Sequence, residues 1–198
     1  MKKIVTFFDI CSSSKITEDL AQNNDLPLWH EMLNKIEQSL ENNKIALCFS
    51  IYKFLGDGWV LIIDPDTDKK KLLRYFKKLC DLFSDHFNKK IEKRLSTEIK
   101  RVGLTFGLDI GEIYPVSVGG SKEYVGPTLN IAARLQSCIS NPNKMDDDPS
   151  NQLMMIRRNY FKYFEDDVDG MYKLVKARRT LKNIKNEDIF VCTRIWLK

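Results

Sequence analysis

Two aspartates stand where the chain turns. Asp9 closes the apolar run KIVTFFDI (3–10), and Asp57 sits inside Gly56-Asp57-Gly58, between two further apolar runs. Carboxylates are hard oxygen ligands. Two of them meeting at one place suit Mg²⁺ or Mn²⁺, with substrate phosphate oxygens completing the shell. Taken singly each has a plainer reading, Asp9 as a loop cap and Asp57 as ordinary Asp-Gly turn chemistry. A second pair lies in Gly126-Pro127-Thr128-Leu129-Asn130-Ile131-Ala132-Ala133-Arg134. Asn130 and Arg134 are four apart and share one face of a helix. An amide and a guanidinium fork aimed together can hold a ribose oxygen and a phosphoryl oxygen. The plainer reading is an exposed polar pair.

The elements that must position these groups follow from hydrophobic periodicity. Residues 3–10 are β-branched and aromatic and predict a buried strand. CSSSK reads as loop, with a helix from near Ile16. Leu28, Met32, Ile36 and Leu40 recur every four residues on one helical face. Ala46–Phe54 and Trp59–Asp64 predict a hairpin with Asp57 at its tip. A long helix covers Leu72 to Ile91. Val102 to Ile110 alternates as a strand, and Ile113, Val116 and Val118 predict its hairpin partner, ended by Gly119-Gly120. Residues 126–140 predict a helix with Pro127 near its start. Residues 141–152 read as a surface loop. A last helix near 153–164 and a strand over Ile189–Thr193 follow. The order implies one α+β domain over 1–198, with helices packed on a mostly antiparallel sheet. If the first strand neighbours the hairpin, Asp9 and Asp57 emerge at one sheet edge.

With 198 residues, 43% hydrophobic and 30% charged, the chain has material for a buried core. Thirty-two basic minus 27 acidic residues leave +5, which suits a phosphate-bearing ligand but not a nucleic-acid coat. No apolar run reaches the ~18–20 residues of a membrane helix, and Asp9 interrupts the apolar start too early for a signal peptide. Five cysteines (11, 48, 80, 138 and 192) lack CxxC pairing and read as reduced core thiols of a cytoplasmic protein. His30 and His86 are too isolated for a His-based metal site and read as surface residues. Trp29 reads as packing. Tyr160, Phe161, Tyr163 and Phe164 read as core or dimer contact.

FFDICSSS, KFLGDGW and GLDIGEIYPVSVGGSKEYVGPTLNIAARLQS together resemble, in order and at family-like spacing, the class III adenylyl/guanylyl cyclase catalytic domain. The resemblance spans residues 3–140; the C-terminal quarter matches loosely. It implies a ferredoxin-like fold and conversion of an NTP to a 3′,5′-cyclic NMP and pyrophosphate. Two divalent ions per site, Mg²⁺ or Mn²⁺, would be held by Asp9, Asp57 and the carbonyl of Ile10. Backbone N–H groups around Ser12, Ser13 and Ser14 would cradle phosphate, Asn130 would orient the ribose, and Arg134 would stabilise charge at the α-phosphoryl group. A triphosphate-binding lysine falls on Lys182, with Lys185 as second choice. Asn183 replaces the usual glycine there, and a solvated basic run is an equal reading. In this family the metal carboxylates and the Asn/Arg pair come from different copies, so a homodimer with sites at its interface is expected.

The resemblance also places a base-reading pair at Lys53 and Glu123, three residues before Gly126. A lysine donor and a carboxylate acceptor match adenine and cytosine alike. Glu123 stands where adenylyl-type enzymes often carry the shorter Asp, which narrows the pocket toward a pyrimidine. Tyr52 is a further base-pocket candidate, although strand alternation points it away from Lys53. Trp59 after GDG and the Ser12-Ser13-Ser14 run are similar to the short bacterial pyrimidine cyclases of the Pycsar anti-phage systems. CTP or UTP is therefore the favoured substrate, with the cyclic product read by a separate effector. ATP is the alternative, and a nucleotide-binding pseudoenzyme regulating a partner is the second.

Overall fold

The computed structural model describes residues 1–139, 152–156, 159, 162–164, 174–176 and 190–194. The elements run β1 (Lys2–Cys11), α1 (Ser13–Gln22), α2 (Leu26–Asn43), β2 (Phe49–Phe54), β3 (Gly58–Ile63) and α3 (Lys69–His86). They continue with β4 (Gly103–Glu112), β5 (Tyr114–Val118), β6 (Ser121–Val125), α4 (Pro127–Ile139), β7 (Gln152–Ile156), β8 (Leu174–Lys176) and β9 (Phe190–Arg194). A seven-stranded sheet has the order β2-β3-β1-β4-β7-β9-β8. All its pairings are antiparallel except β4 with β7.

Period-two alternation in β1 and β4 divides the core. Ile4, Phe8, Ile10, Leu104, Phe106, Leu108 and Ile110 face α1, α2 and α3, where Ile16, Leu20, Met32, Ile36, Phe76 and Phe83 meet them. Val5 faces the other way with Val60, Ile62 and Ala132 of α4. On that second face β4 carries Gly107 and Gly111. A Cβ on Gly107 would lie 2.2 Å from the carbonyl oxygen of Ala132, and one on Gly111 would lie 2.6 Å from Thr128 Oγ1. Two missing side chains, four residues apart, let α4 lie directly on the sheet.

Several expectations are corrected. Tyr114–Val118 does not pair with β4; it pairs with β6 in a separate two-stranded ribbon. The reason is topological, since β1 and β7 occupy both edges of β4. Residues from 153 begin as strand rather than helix: β7 lies parallel to β4, with Leu153, Met155 and Ile156 buried. A short apolar run fits either element, and burial on the sheet decides. Helix α1 starts at Ser13, inside the stretch read as loop. His86 is buried, because it lies on the core-facing side of α3 with Phe83 and Leu79.

Trp29 and Cys80 pack in the core as expected, but Cys48 is exposed, at a residue with φ of 47° between α2 and β2. Lys182, Lys185 and the 141–151 stretch lie outside the described residues, as do Ile189, Tyr160 and Phe161. Among the described residues no helix is long and apolar enough to cross a membrane.

Replacing Gly107 by Ala forces a methyl group into the α4 backbone. The expected cost is about 1–3 kcal/mol or more, seen as a lowered denaturation midpoint. A Gly119→Ala control, at a turn with open space around it, registers only local φ strain.

Candidate functional site

Asp9 lies on the α4-facing side of β1, and its Cα partner across β3 is Gly58. That pairing sets Asp57, at the hairpin tip, beside it. The backbone N–H of Ile10 donates to the carbonyl of Asp57 at 3.2 Å and ties the tip to the end of β1. Gly58 permits this approach: a Cβ there would come within 2.4 Å of the Phe8 carbonyl and 3.0 Å of Asp9 Oδ1. The two carboxyl groups interact directly. Burial, then the charge of Asp57 and a hydrogen bond to it, push the Asp9 carboxyl up to about 7. Opposing these, the N–H of Ile10 and the side chain of Gln136 favour its ionised form.

Beside the carboxylates α1 begins. Ser12 is held left-handed at φ 64°, its hydroxyl donating to the Arg101 carbonyl at 2.8 Å. Ser13 is buried and its hydroxyl donates to Asp57 Oδ2. Ser14 is exposed. The first backbone N–H groups of a helix have no intrahelical acceptor, so this turn presents donors next to two acidic groups. The structure thus brings Asp9, Ile10, Ser12, Ser13, Ser14 and Asp57 together. Among the described residues no group of three or more His, Cys, Asp or Glu could hold a metal. Two crowded carboxylates could hold hard divalent cations only if a ligand such as phosphate supplied further oxygens.

A second cluster forms between β2 and β6. Lys53 Nζ lies 2.8 Å from Glu123 Oε2, and the Tyr52 hydroxyl donates to the same oxygen. The N–H of Tyr124 donates back to the Tyr52 hydroxyl at 2.9 Å. Hydrogen bonds from Lys53 and then Tyr52 hold the Glu123 carboxyl below its usual range, and the Glu123 bond raises Lys53. Strand alternation sends Tyr52 away from Lys53, but the structure does not. The β2–β3 register shifts between Ile51 and Lys53, leaving Tyr52 as the extra residue of a bulge. Both side chains therefore reach one carboxylate.

Asn130 is exposed and Arg134 half-buried on α4. The side of α4 toward Asp9 is occupied by Gln136, whose Nε2 donates to Thr105 Oγ1 at 2.9 Å. At about 100° per residue, Arg134 lies about 200° and Asn130 about 240° around the helix from Gln136. The Asn/Arg pair and the carboxylate pair thus look in opposite directions within one chain. Sequence reasoning missed Gln136, Thr105 and the Ser13 hydroxyl. Gln136 was within reach of it, being six residues beyond Asn130 on the same predicted helix.

No protein-family model matches the sequence, and no curated protein matches it either. Solved structures do. The chain is similar to the guanylyl cyclase Cya2 at TM-score 0.67 and 11% identity, over 98% of this chain and 91% of that one. It is similar to the adenylyl cyclase CyaB from P. aeruginosa at TM-score 0.64 and 15% identity, over 100% and 96%. Adenylate cyclases from Trypanosoma brucei in their monomeric state match at TM-score 0.64 and 14% identity, over 97% and 88%. The fold is therefore that of adenylyl and guanylyl cyclases.

The Asp9 shift links stability to pH. Its carboxyl rises from 3.8 in the unfolded chain to about 7, so its favourable contribution is complete below pH 3.8 and is lost as pH rises through 7. Asp57→Asn removes one source of that shift. Without divalent cations the variant should melt above the wild type at pH 8, and with it at pH 4. Each 1 kcal/mol relieved is worth about 2–4 °C. A variant that melts lower at pH 8 contradicts the repulsion.

Proposed function

We propose that this chain is a class III nucleotidyl cyclase, acting in the cytoplasm as a homodimer on an NTP. The observation that carries the proposal is the meeting of Asp9 and Asp57, beside the N-terminus of α1. Asp9, Asp57 and the Ile10 carbonyl would hold two divalent ions, Mg²⁺ or Mn²⁺; when bound these acidify the ribose 3′-hydroxyl and neutralise the triphosphate. The turn at Ser12, Ser13 and Ser14 binds phosphate oxygens through its N–H groups. The 3′-hydroxyl passes its proton to solvent water, and the 3′-oxygen attacks the α-phosphorus in line. A new phosphoester bond forms as the bond to the leaving pyrophosphate breaks. Asn130 orients the ribose and Arg134 offsets charge building on the α-phosphoryl oxygens. Lys182 is retained as the triphosphate lysine on the resemblance alone.

The opposed directions of the two pairs on either side of α4 support a site built from two copies. A head-to-tail, two-fold dimer would contain two such sites. Asp57→Asn and Arg134→Ala should each lower kcat on the order of 10²–10³. Co-refolded in equal amounts, they should regain about a quarter of wild-type activity, because half the dimers are mixed and each has one intact site. No recovery on mixing would exclude the shared site.

The Tyr52–Lys53–Glu123 cluster supports a base-reading role. An incoming base edge must share or part the Lys53–Glu123 pair, offering an acceptor to the lysine and an amino group to the carboxylate. Cytosine and adenine do so. The long Glu123 side chain, held forward by Tyr52, favours the smaller ring, so CTP is the first choice among pyrimidines, with UTP next and ATP as the second reading. A cyclic pyrimidine nucleotide would serve as a messenger for a separate effector, in the manner of the anti-phage systems that the sequence resembles. Incubation with each NTP and Mn²⁺, with identification of the cyclic product, tests this. Glu123→Asp should shift preference toward ATP. An unchanged NTP preference removes the size argument.

A further inference from the structure

The inward side of α4 ends on the acidic pair. Thr105, Asp9 and Gly58 form one row across β4, β1 and β3, since Thr105 and Gly58 are the Cα partners of Asp9 on its two sides. Gln136 reaches this row because Gly107 has no side chain. A Cβ there would lie 2.2 Å from the Gln136 backbone nitrogen and 2.8 Å from its Cα. The helix backbone at Gln136 therefore rests on the sheet, two residues along β4 from Thr105.

A glutamine amide nitrogen carries two N–H groups. Gln136 Nε2 donates to Thr105 Oγ1 at 2.9 Å, and the side chain also hydrogen-bonds to the Asp9 carboxyl. Thr105 is fully buried, and its Oγ1 donates in turn to the Asp9 backbone carbonyl at 3.3 Å. Asp9 is thus tied to α4 and β4 through both its carboxyl group and its main chain. Asp57 has a different support, the Ser13 hydroxyl at the start of α1. Each carboxyl group takes a neutral side-chain donor, and the two donors come from different helices. A neutral donor fixes the direction of a carboxylate without cancelling its charge, which is how groups behind a metal ligand orient it.

We propose that Gln136 is a positioning residue for Asp9, setting the direction in which its carboxylate meets a divalent ion. This role presupposes the cyclase activity proposed above. It gives the two sides of α4 different sites to serve. Gln136 acts on the acidic pair of its own chain. Asn130 and Arg134, about 240° and 200° around the helix from it, act on the site completed by the second copy.

Gln136→Met tests this, because methionine matches glutamine in length and helix propensity but has no N–H to give. Mn²⁺ binding to the full chain is followed by water-proton relaxation at fixed pH, with 3′-deoxy-CTP or 3′-deoxy-ATP present. These analogues lack the attacking hydroxyl, so no turnover intervenes. Half-saturation should need about 10–100-fold more Mn²⁺ in Gln136→Met than in the wild type, with an unchanged far-UV circular dichroism spectrum verifying the fold. Thr105→Val removes the amide's anchor and should weaken binding in the same direction, whereas Thr105→Ser keeps the hydroxyl and should restore it. Mixed dimers then assign the role to one half of the site. Co-refolded with Arg134→Ala, Gln136→Met should regain about a quarter of wild-type activity, because half the dimers are mixed and each keeps one intact site. Co-refolded with Asp57→Asn it should regain none, since both defects fall on the acidic half. Undiminished Mn²⁺ binding in Gln136→Met overturns the proposal. So does the reverse mixing pattern, recovery with Asp57→Asn but not with Arg134→Ala, which would mean that the substitution acts by displacing Asn130 and Arg134. A wild type that binds no Mn²⁺ beside either analogue overturns the cyclase reading itself, and the positioning role with it.

Discussion

Two carboxyl groups that repel each other are held side by side by hydrogen bonds that do not depend on them. The Ile10 N–H fastens the hairpin tip through the Asp57 backbone, and the β1–β3 ladder fixes the opposite strand. The side chains then meet whatever their charge. Burial and proximity raise one of them, and only a cation or a proton relieves the crowding. The fold supplies the energy that keeps the pair together, and a bound ion would return part of it. Gly58 is the condition for this arrangement, because a side chain at that position would strike the β1 backbone.

Helix α4 imposes the second constraint. Gly107 and Gly111 draw it onto the sheet, and its inner side is spent on Ala132, Leu135 and the Gln136–Thr105 contact. Contact with the sheet therefore dictates that Asn130 and Arg134 look outward. Placing them over the carboxylates of the same chain would require turning the helix by about 120–160° against its packed face. The same packing that stabilises the monomer turns this polar pair away from the acidic one.

Much of this was legible in the residues. The alternation in Val102–Ile110 and the four-residue spacing in α2 located the central strand and a covering helix, because those patterns reflect which side is buried. The closeness of Asp9 and Asp57 followed from hairpin and strand adjacency. What was hidden depended on partners distant in sequence. The ribbon β5–β6 stands apart because the neighbours of β4 in the sheet are β1 and β7, both distant from it in sequence. Strand β7 arises because an apolar segment found a neighbour to align with. The burial of His86 follows from how α3 rolls against α2, and the Ser13 hydroxyl bond from the angle at which α1 leaves β1. Periodicity reports burial along one element, not which other element it meets.

The bulge at Tyr52 separates two kinds of change. In a regular strand, neighbouring side chains are committed to opposite faces, and altering what one face presents means altering residue types. Here a single surplus residue decides it. Gain or loss of one amino acid upstream of the hairpin tip would change which side chains meet Glu123 while leaving the tip, its backbone tether and the acidic pair where they are. On the proposed base-reading role, preference for a nucleobase would drift through small insertions and deletions, a mutational route that the acidic pair would barely feel.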